Sequence, residues 1–263
     1  KNIMVGCGGS TMINQSHYLG ALYGMERIMG RADTPVRKLY NYGTNKFLSH
    51  VPLMYILTVT TLDRTGLKLE ALSIGLGDEL FLETAKVSQE KNLNFLEKAI
   101  KKAVVYLDPK EFKTTWLGNK AIYRTRMAIA DDGELIIIAP ALSGCGEDPE
   151  NDKLIQKYGY IGRDKVLEAV KNNKELRENL SVAAHLIHGS CEDRFKIIYA
   201  PGKMTKEQIT SLNYEYMPYE DAIKLYDADI LTDGFNTING EEIFYVSNPA
   251  LGLWTTKSRF ESE

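Results

Sequence analysis

Between Met54 and Gly75 lie two runs: MYILTVTTLD, rich in β-branched and aromatic residues, and GLKLEALSIG, in which apolar and polar positions alternate with a period of two. Arg64-Thr65-Gly66 sits between the two runs as a turn. β-Branched and aromatic residues in such a pattern predict an antiparallel hairpin. Around it the apolar spacing lengthens to that of helices. Thr11 to Met29 is one helical stretch, with Ser10 or Thr11 as its cap. Asp33-Thr34-Pro35 opens a second, with a capping side chain and a proline near the first turn. A longer helical region is predicted from about Asp78 to Lys101.

From Lys102 onward strands and helices alternate. The pattern predicts a strand at Lys102 to Asp108, a helix at Thr114 to Ile129 and a strand at Glu134 to Ala139. Helices follow around Asp152 to Tyr158, Arg163 to Lys171 and Leu180 to His188, then a strand at Phe195 to Ala200. Strands separated by helices imply βαβ crossovers and a mostly parallel sheet. The fold class read from this order is α/β: a small doubly wound, mostly parallel sheet domain plus the tail of a preceding α/β domain. The predicted division assigns residues 1–101 to the C-terminal part of a truncated first domain and 102–235 to the α/β domain. Residues 236–263 are read as a return segment packing back toward the first domain. No Met precedes Lys1, and Ile3–Val5 reads as the tail of a strand already under way. The expectation is therefore a C-terminal fragment of a longer protein.

Composition narrows the function classes. With 263 residues, 44% of them hydrophobic, the chain can bury a sizeable core. A formal net charge of -3 with mixed signs gives no basic face for nucleic acid. The longest uncharged apolar stretch, LIIIAPAL at Leu135 to Leu142, is far shorter than a membrane span. Cys7, Cys145 and Cys191 are odd in number and lack CxxC spacing, which argues against a disulfide framework and points to a reducing, cytoplasmic setting.

In a doubly wound sheet, ligands collect beyond the carboxyl ends of the strands. Three loops occupy that position: Tyr106 to Lys113, Pro140 to Pro149 and Pro201 to Lys206. The middle one, APALSGCGEDPE, is dotted with glycine and precedes a helix. Its amides could meet an anion, or it could be a simple turn. No GxxxxGK[ST] or GxGxxG motif is present. In KTTWLGNKAIYRTRMAI, helical spacing puts Trp116, Lys120 and Tyr123 on one face, with Arg124 and Arg126 nearby. Cations beside an aromatic suit a carboxylate ligand; a solvated basic face over a core aromatic is the other reading. His185 and His188 share a helix at a spacing of three, which fits either metal ligands or two satisfied helix-end histidines.

The opening KNIMVGCGGSTMINQSH resembles a segment of the nickel-dependent lactate racemase family, in which a lysine, a Pro-Gly turn, a Thr-Ile pair and a histidine follow in that order. ADDGELIIIAPALSGCGED is similar to that family's strand and acidic glycine loop, anchored on Gly133. With TWLGNKAIYRTRMA, AAHLIHGS and NPALGLW the text looks most like the D-mannonate epimerase branch. The resemblance implies that Lys1 carries a nickel pincer nucleotide and that His17 is a nickel ligand. It places Lys120 on the substrate-facing lysine and Trp116 where the family has a tyrosine, a departure that implies a reshaped pocket. The implied reaction inverts C2 of a 2-hydroxy acid, a sugar acid such as mannonate, by hydride transfer to the tethered cofactor, with a base taking the hydroxyl proton. The family's acid/base histidines and phosphate contacts lie upstream of the attachment lysine, so the 263-residue piece alone is expected to be inactive. Two other classes stay open: a sugar-acid binding module using Lys120, Arg124 and Arg126, and a nucleotide-dependent oxidoreductase. Cys7 reads equally as a ligand or as packing. The sequence does not specify an oligomeric state.

Overall fold

A computed structural model describes residues 2–63 and 66–262, and it divides into two compact units. The first unit runs to Asn94 and takes in Leu251–Leu253; the second begins at Phe95, not at the predicted 102.

In the first unit the chain opens with α1 (Asn2–Cys7), α2 (Gly9–Tyr23) and α3 (Pro35–Phe47). Ile3–Val5, read as a strand tail, lies inside α1. A three-residue apolar run does not distinguish helix from strand, and here packing decides: Met4 Sδ stands 3.2 Å from where a Cβ on Gly43 of α3 would be, so α1 and α3 meet over a glycine. The glycines of VGCGGS therefore join two helices, with Gly9 at φ +73°. The helix predicted to reach Met29 stops at Tyr23 because Gly24 leaves helical space at φ +113°. Thr34 caps α3 through its side chain, which accepts from Arg37 N at 3.2 Å, and Pro35 occupies the first turn.

The hairpin is present as β1 (Tyr55–Asp63) paired antiparallel with β2 (Gly66–Gly75), with a bulge between Val59 and Thr60. Arg64 and Thr65 of the predicted turn lie outside the described residues. One face packs on α4 (Gly77–Asn92); the other presents Ile56, Leu62, Leu67 and Ile74, all more than half exposed. The helix predicted to continue to Lys101 ends at Asn92. The period-two LNFL run forms β3 (Leu93–Leu96), and the β-branched segment after it starts the main sheet.

That sheet begins with β4 (Ile100–Tyr106), followed by α5 (Thr115–Gly118), α6 (Lys120–Thr125) and β5 (Ile129–Ala139). Four helices come next: α7 (Pro149–Tyr158), α8 (Arg163–Asn172), α9 (Lys174–Glu178) and α10 (Leu180–His188). Then come β6 (Phe195–Pro201), α11 (Lys206–Ser211), β7 (Glu215–Tyr216) and α12 (Tyr219–Leu225). β8 (Gly234–Ile238), β9 (Glu241–Val246), β10 (Leu253–Thr256) and α13 (Lys257–Ser262) complete the described chain. The strand order is β7-β6-β5-β4-β9-β8, parallel throughout except for β8 at the edge. The α/β class and the mostly parallel sheet match the reading from sequence. β8 and β9, taken for part of a return segment, are two strands of this sheet. From β4 the chain winds outward to β7 and then crosses to the other side of β4, so the strand order reverses between β4 and β9.

Both faces of the sheet are covered, as a parallel sheet requires. Val104, Ile136, Ile138, Ile198 and Tyr245 meet Ala222 and Tyr226 on one side. Val105, Leu135, Ile137 and Tyr199 are fully buried among the remaining sheet residues. Among the described residues no helix is long and apolar enough to cross a membrane.

Candidate functional site

The loops after β4 and β5 are zipped together by backbone hydrogen bonds. Ser143 N donates to Lys113 O (2.9 Å), Thr115 N to Gly144 O (3.1 Å) and Trp116 N to Cys145 O (2.8 Å). The glycine-dotted loop does bind an anion through its amides, but the anion is internal. Asp152 Oδ1 accepts from Cys145 N at 2.6 Å and from Gly146 N at 2.9 Å. At the start of α7, Asp148 Oδ1 accepts from Glu150 N and Asn151 N. These amides are therefore not open to a ligand. A Cβ at Gly146 would stand 2.8 Å from Asp152 Cα, so glycine lets the loop close on the helix. Replacing Asp152 by alanine strands two amides that made charge-assisted bonds. An expected destabilisation of about 2–4 kcal/mol follows, measurable as a lower urea midpoint with unchanged slope.

The zipped loop delivers Trp116 to a buried polar chain. Its indole stacks on the His185 imidazole with ring centroids 4.4 Å apart and planes 30° apart. His185 Nε2 lies 2.9 Å from Tyr160 Oη, which lies 2.7 Å from Thr115 Oγ1. Thr115 Oγ1 donates to Cys145 O at 3.2 Å. With the threonine proton committed there, Tyr160 donates to Thr115 and accepts from Nε2–H of His185. Burial, and secondarily the neighbouring His188, push the His185 pKa down to about 3, so the stacked ring is neutral. Burial also raises the Tyr160, Tyr199 and Tyr214 phenols and pushes the Cys145 thiol up to about 12, so none of these ionises near neutrality. Tyr199 donates to Asn119 Oδ1 at 2.7 Å, and Tyr214 donates to Gly189 O at 2.8 Å.

The helix predicted over Thr114 to Ile129 is two short ones, α5 and α6, separated by Asn119. Asn119 keeps near-helical angles (φ -66°, ψ -2°), so Trp116 and Lys120 remain one turn apart, and both are half-buried. Lys120 Nζ sits 5.6 Å from the Phe112 ring centroid, and among the described residues no carboxylate pairs with it. Arg126 does not join this cationic face: it is 4% exposed and donates from Nη1 to Ser190 O at 3.0 Å. Tyr123 meets His188 edge-on at 6.5 Å. Of the two readings, the structure supports a hydrogen-bonded packing residue for His185, while His188 packs edge-on against Tyr123. Among the described residues no group of three potential ligands could hold a metal ion.

In the first unit, His17 lies on α2 with Nδ1 2.8 Å from Ile13 O. Nδ1 is the donor, which leaves the Nε2 lone pair available to a metal. An imidazole so presented fits nickel as a single protein ligand to a metal that brings its own donors. Cys7 is exposed. Lys1, the cofactor lysine expected from the resemblance, lies outside the described residues.

Sequence reasoning did not identify Thr115, Tyr160 or Asp152. Their partners are 45, 25 and 7 residues away, and pairings at such separations leave no local periodicity. A separate cavity of about 720 Å³ opens at the amino end of β6, lined among others by Lys165, Glu192, Arg194 and Glu215. Neither Trp116 nor Lys120 borders it.

Among solved structures, a Thermotoga maritima protein determined by a structural genomics consortium superposes with a TM-score of 0.74 at 22% identity, covering 93% of this chain and 59% of its own. The lactate racemase apoprotein of Thermoanaerobacterium thermosaccharolyticum gives a TM-score of 0.63 at 12% identity, covering 91% and 54%. The chain thus has a lactate racemase-like fold and spans between 54% and 59% of these two proteins. No protein-family profile matches the sequence, and no curated protein matches it.

Proposed function

We propose that the protein is a racemase or epimerase of 2-hydroxy acids, with a sugar acid such as mannonate as its substrate. The observation that carries this reading is Lys120, a half-buried ammonium without a carboxylate partner among the described residues, one helical turn from Trp116 on a lactate racemase-like fold. Lys120 holds the substrate carboxylate by charge, with its ammonium placed over the Phe112 ring. Trp116 walls the acid's carbon chain. An indole where a tyrosine would place a hydroxyl removes a hydrogen-bond donor and adds apolar surface, which suits a longer chain than lactate.

His185 is not the base that takes the hydroxyl proton. With a pKa of about 3 and its Nε2–H committed to Tyr160, it binds a proton too weakly. In the first unit, His17 is proposed as the nickel ligand through Nε2, and Lys1 as the attachment point of a nickel pincer nucleotide. When bound, that cofactor would supply the electrophile that takes the C2 hydrogen and returns it to the other face.

Calorimetric titration of the chain with D-mannonate and with lactate tests the reading. Lys120→Met keeps the aliphatic stem and deletes the charge, so affinity for the acid should fall about tenfold or more. Equal affinity in Lys120→Met and the parent would remove Lys120, and the proposal with it.

A further inference from the structure

We propose that His185 is a positioning residue whose imidazole, held by Tyr160, fixes the Trp116 indole as a rigid wall beside Lys120. This rests on the hydroxy-acid reading of Lys120, and it concerns a residue that touches no substrate. Three observations carry it. First, the rings of Trp116 and His185 overlap at 4.4 Å and 30°, and no other ring contact to the indole is recorded among the described residues. Second, the imidazole cannot turn freely, because Nε2 is bonded to Tyr160 Oη, and that hydroxyl is bonded in turn to Thr115 Oγ1. Third, Thr115 is the residue before Trp116, and Trp116 N is bonded to Cys145 O. The backbone at the base of the indole and the ring on its face are therefore tied into one network.

His185 is 7% exposed, whereas Trp116 is only half-buried, so one face of the indole is closed by histidine and part of the side chain stays open. A wall of this kind is useful only if it stays in place. An indole free to rotate about χ1 would sweep the space beside Lys120 and lose shape selectivity, and small misplacements of a positioning group carry large penalties in affinity and rate. The network also explains an imidazole at a position where a larger apolar side chain would fill the same core. Its second nitrogen gives the stack a fixed orientation that leucine or phenylalanine would lack.

The chain has two tryptophans, so Trp254→Phe leaves Trp116 as its single indole emitter. In that background, His185→Leu fills the volume but removes both the stack and the bond to Tyr160. Trp116 should then show lower emission anisotropy and several-fold stronger iodide quenching, and mannonate should bind on the order of tenfold more weakly. His185→Phe restores a ring without the bond to Tyr160, so it should recover only part of the anisotropy. Unchanged anisotropy and quenching in His185→Leu would overturn the proposal. If that variant does not fold, Tyr160→Phe, which frees the imidazole and retains every ring, decides on the same two signals. Fluorescence reads the indole without ligand, so the two ideas can fail separately. A looser indole with no acid bound even by the parent would support positioning and remove the hydroxy-acid reading. Acid binding with an unmoved indole would do the reverse.

Discussion

Gly189→Ala should be among the most destabilising single-methyl additions in the protein, lowering stability by about 3 kcal/mol or more. Gly189 follows α10 at φ -82° and ψ -2°, angles open to any residue, so backbone freedom is not what requires glycine here. What requires it is space. A Cβ at this position would overlap Asn119 Nδ2 and stand 2.5 Å from Tyr160 Cε1. Neither neighbour can give way cheaply. Asn119 is fully buried and holds the Tyr199 hydroxyl at 2.7 Å. Tyr160 is bonded to Thr115 and His185 and stacked on Tyr214 at 4.7 Å. One methyl therefore pushes on three hydrogen bonds and on the ring contacts of Tyr160 with Tyr214 and His185, and interiors packed at crystal density relax poorly. Gly6→Ala is the control. Gly6 lies within α1 with nothing inside 4 Å of a built Cβ, so alanine should stabilise by about 0.5–1 kcal/mol. Urea midpoints of the two variants on either side of the parent would confirm the contrast; equal midpoints would show that the Tyr160 cluster is softer than its contacts imply.

How much of this was legible in the sequence depended on how local the determining interactions are. The β-branched runs that became β4, β5 and β6, and the Thr34-Pro35 cap, carry their structure in adjacent residues, and they were placed within a few positions. The i,i+4 spacing of Trp116 and Lys120 survived even though the helix between them breaks at Asn119. Ile3–Val5 failed because three apolar residues fit either period, and Met4 chooses helix by meeting Gly43, 39 positions away. Arg126 looked like a companion of Lys120 from its position near Lys120 and Arg124. The carbonyl that holds it inward belongs to Ser190, 64 residues on. The same limit applies to the anion loop: Gly144 and Gly146 were visible, but not that Asp152 would take the amides of Cys145 and Gly146. Pairing partners set by tertiary packing have no signature in the local pattern.

Acid should weaken the protein well before its carboxylates titrate, and His185 is the reason. In the unfolded chain this imidazole titrates near 6.5; in the folded chain burial and His188 hold it to about 3. Between those values the unfolded state binds a proton that the native state refuses. The stability contributed by the neutral ring is fully present above pH 6.5 and is lost as pH falls toward 3. One proton corresponds to about 1.4 kcal/mol per pH unit once the unfolded group is protonated, so moving from pH 6 to pH 4 should cost about 2–3 kcal/mol. The carboxylates lowered by their partners, Asp131 by Arg259 and Arg194 among them, lose their contribution only at lower pH, as those acids take up protons. The informative window is therefore pH 6.5 to 5. His185→Phe keeps an aromatic ring against Trp116 but has nothing to protonate, so its urea midpoint should change less across that window than the parent's. The other titrating groups are common to both proteins and cancel in the comparison. Parallel midpoint curves would mean that the buried imidazole accepts its proton in the folded state. That outcome would place the added proton on Nδ1, because Nε2–H already donates to Tyr160, and the proton chain through Thr115 would stand as drawn.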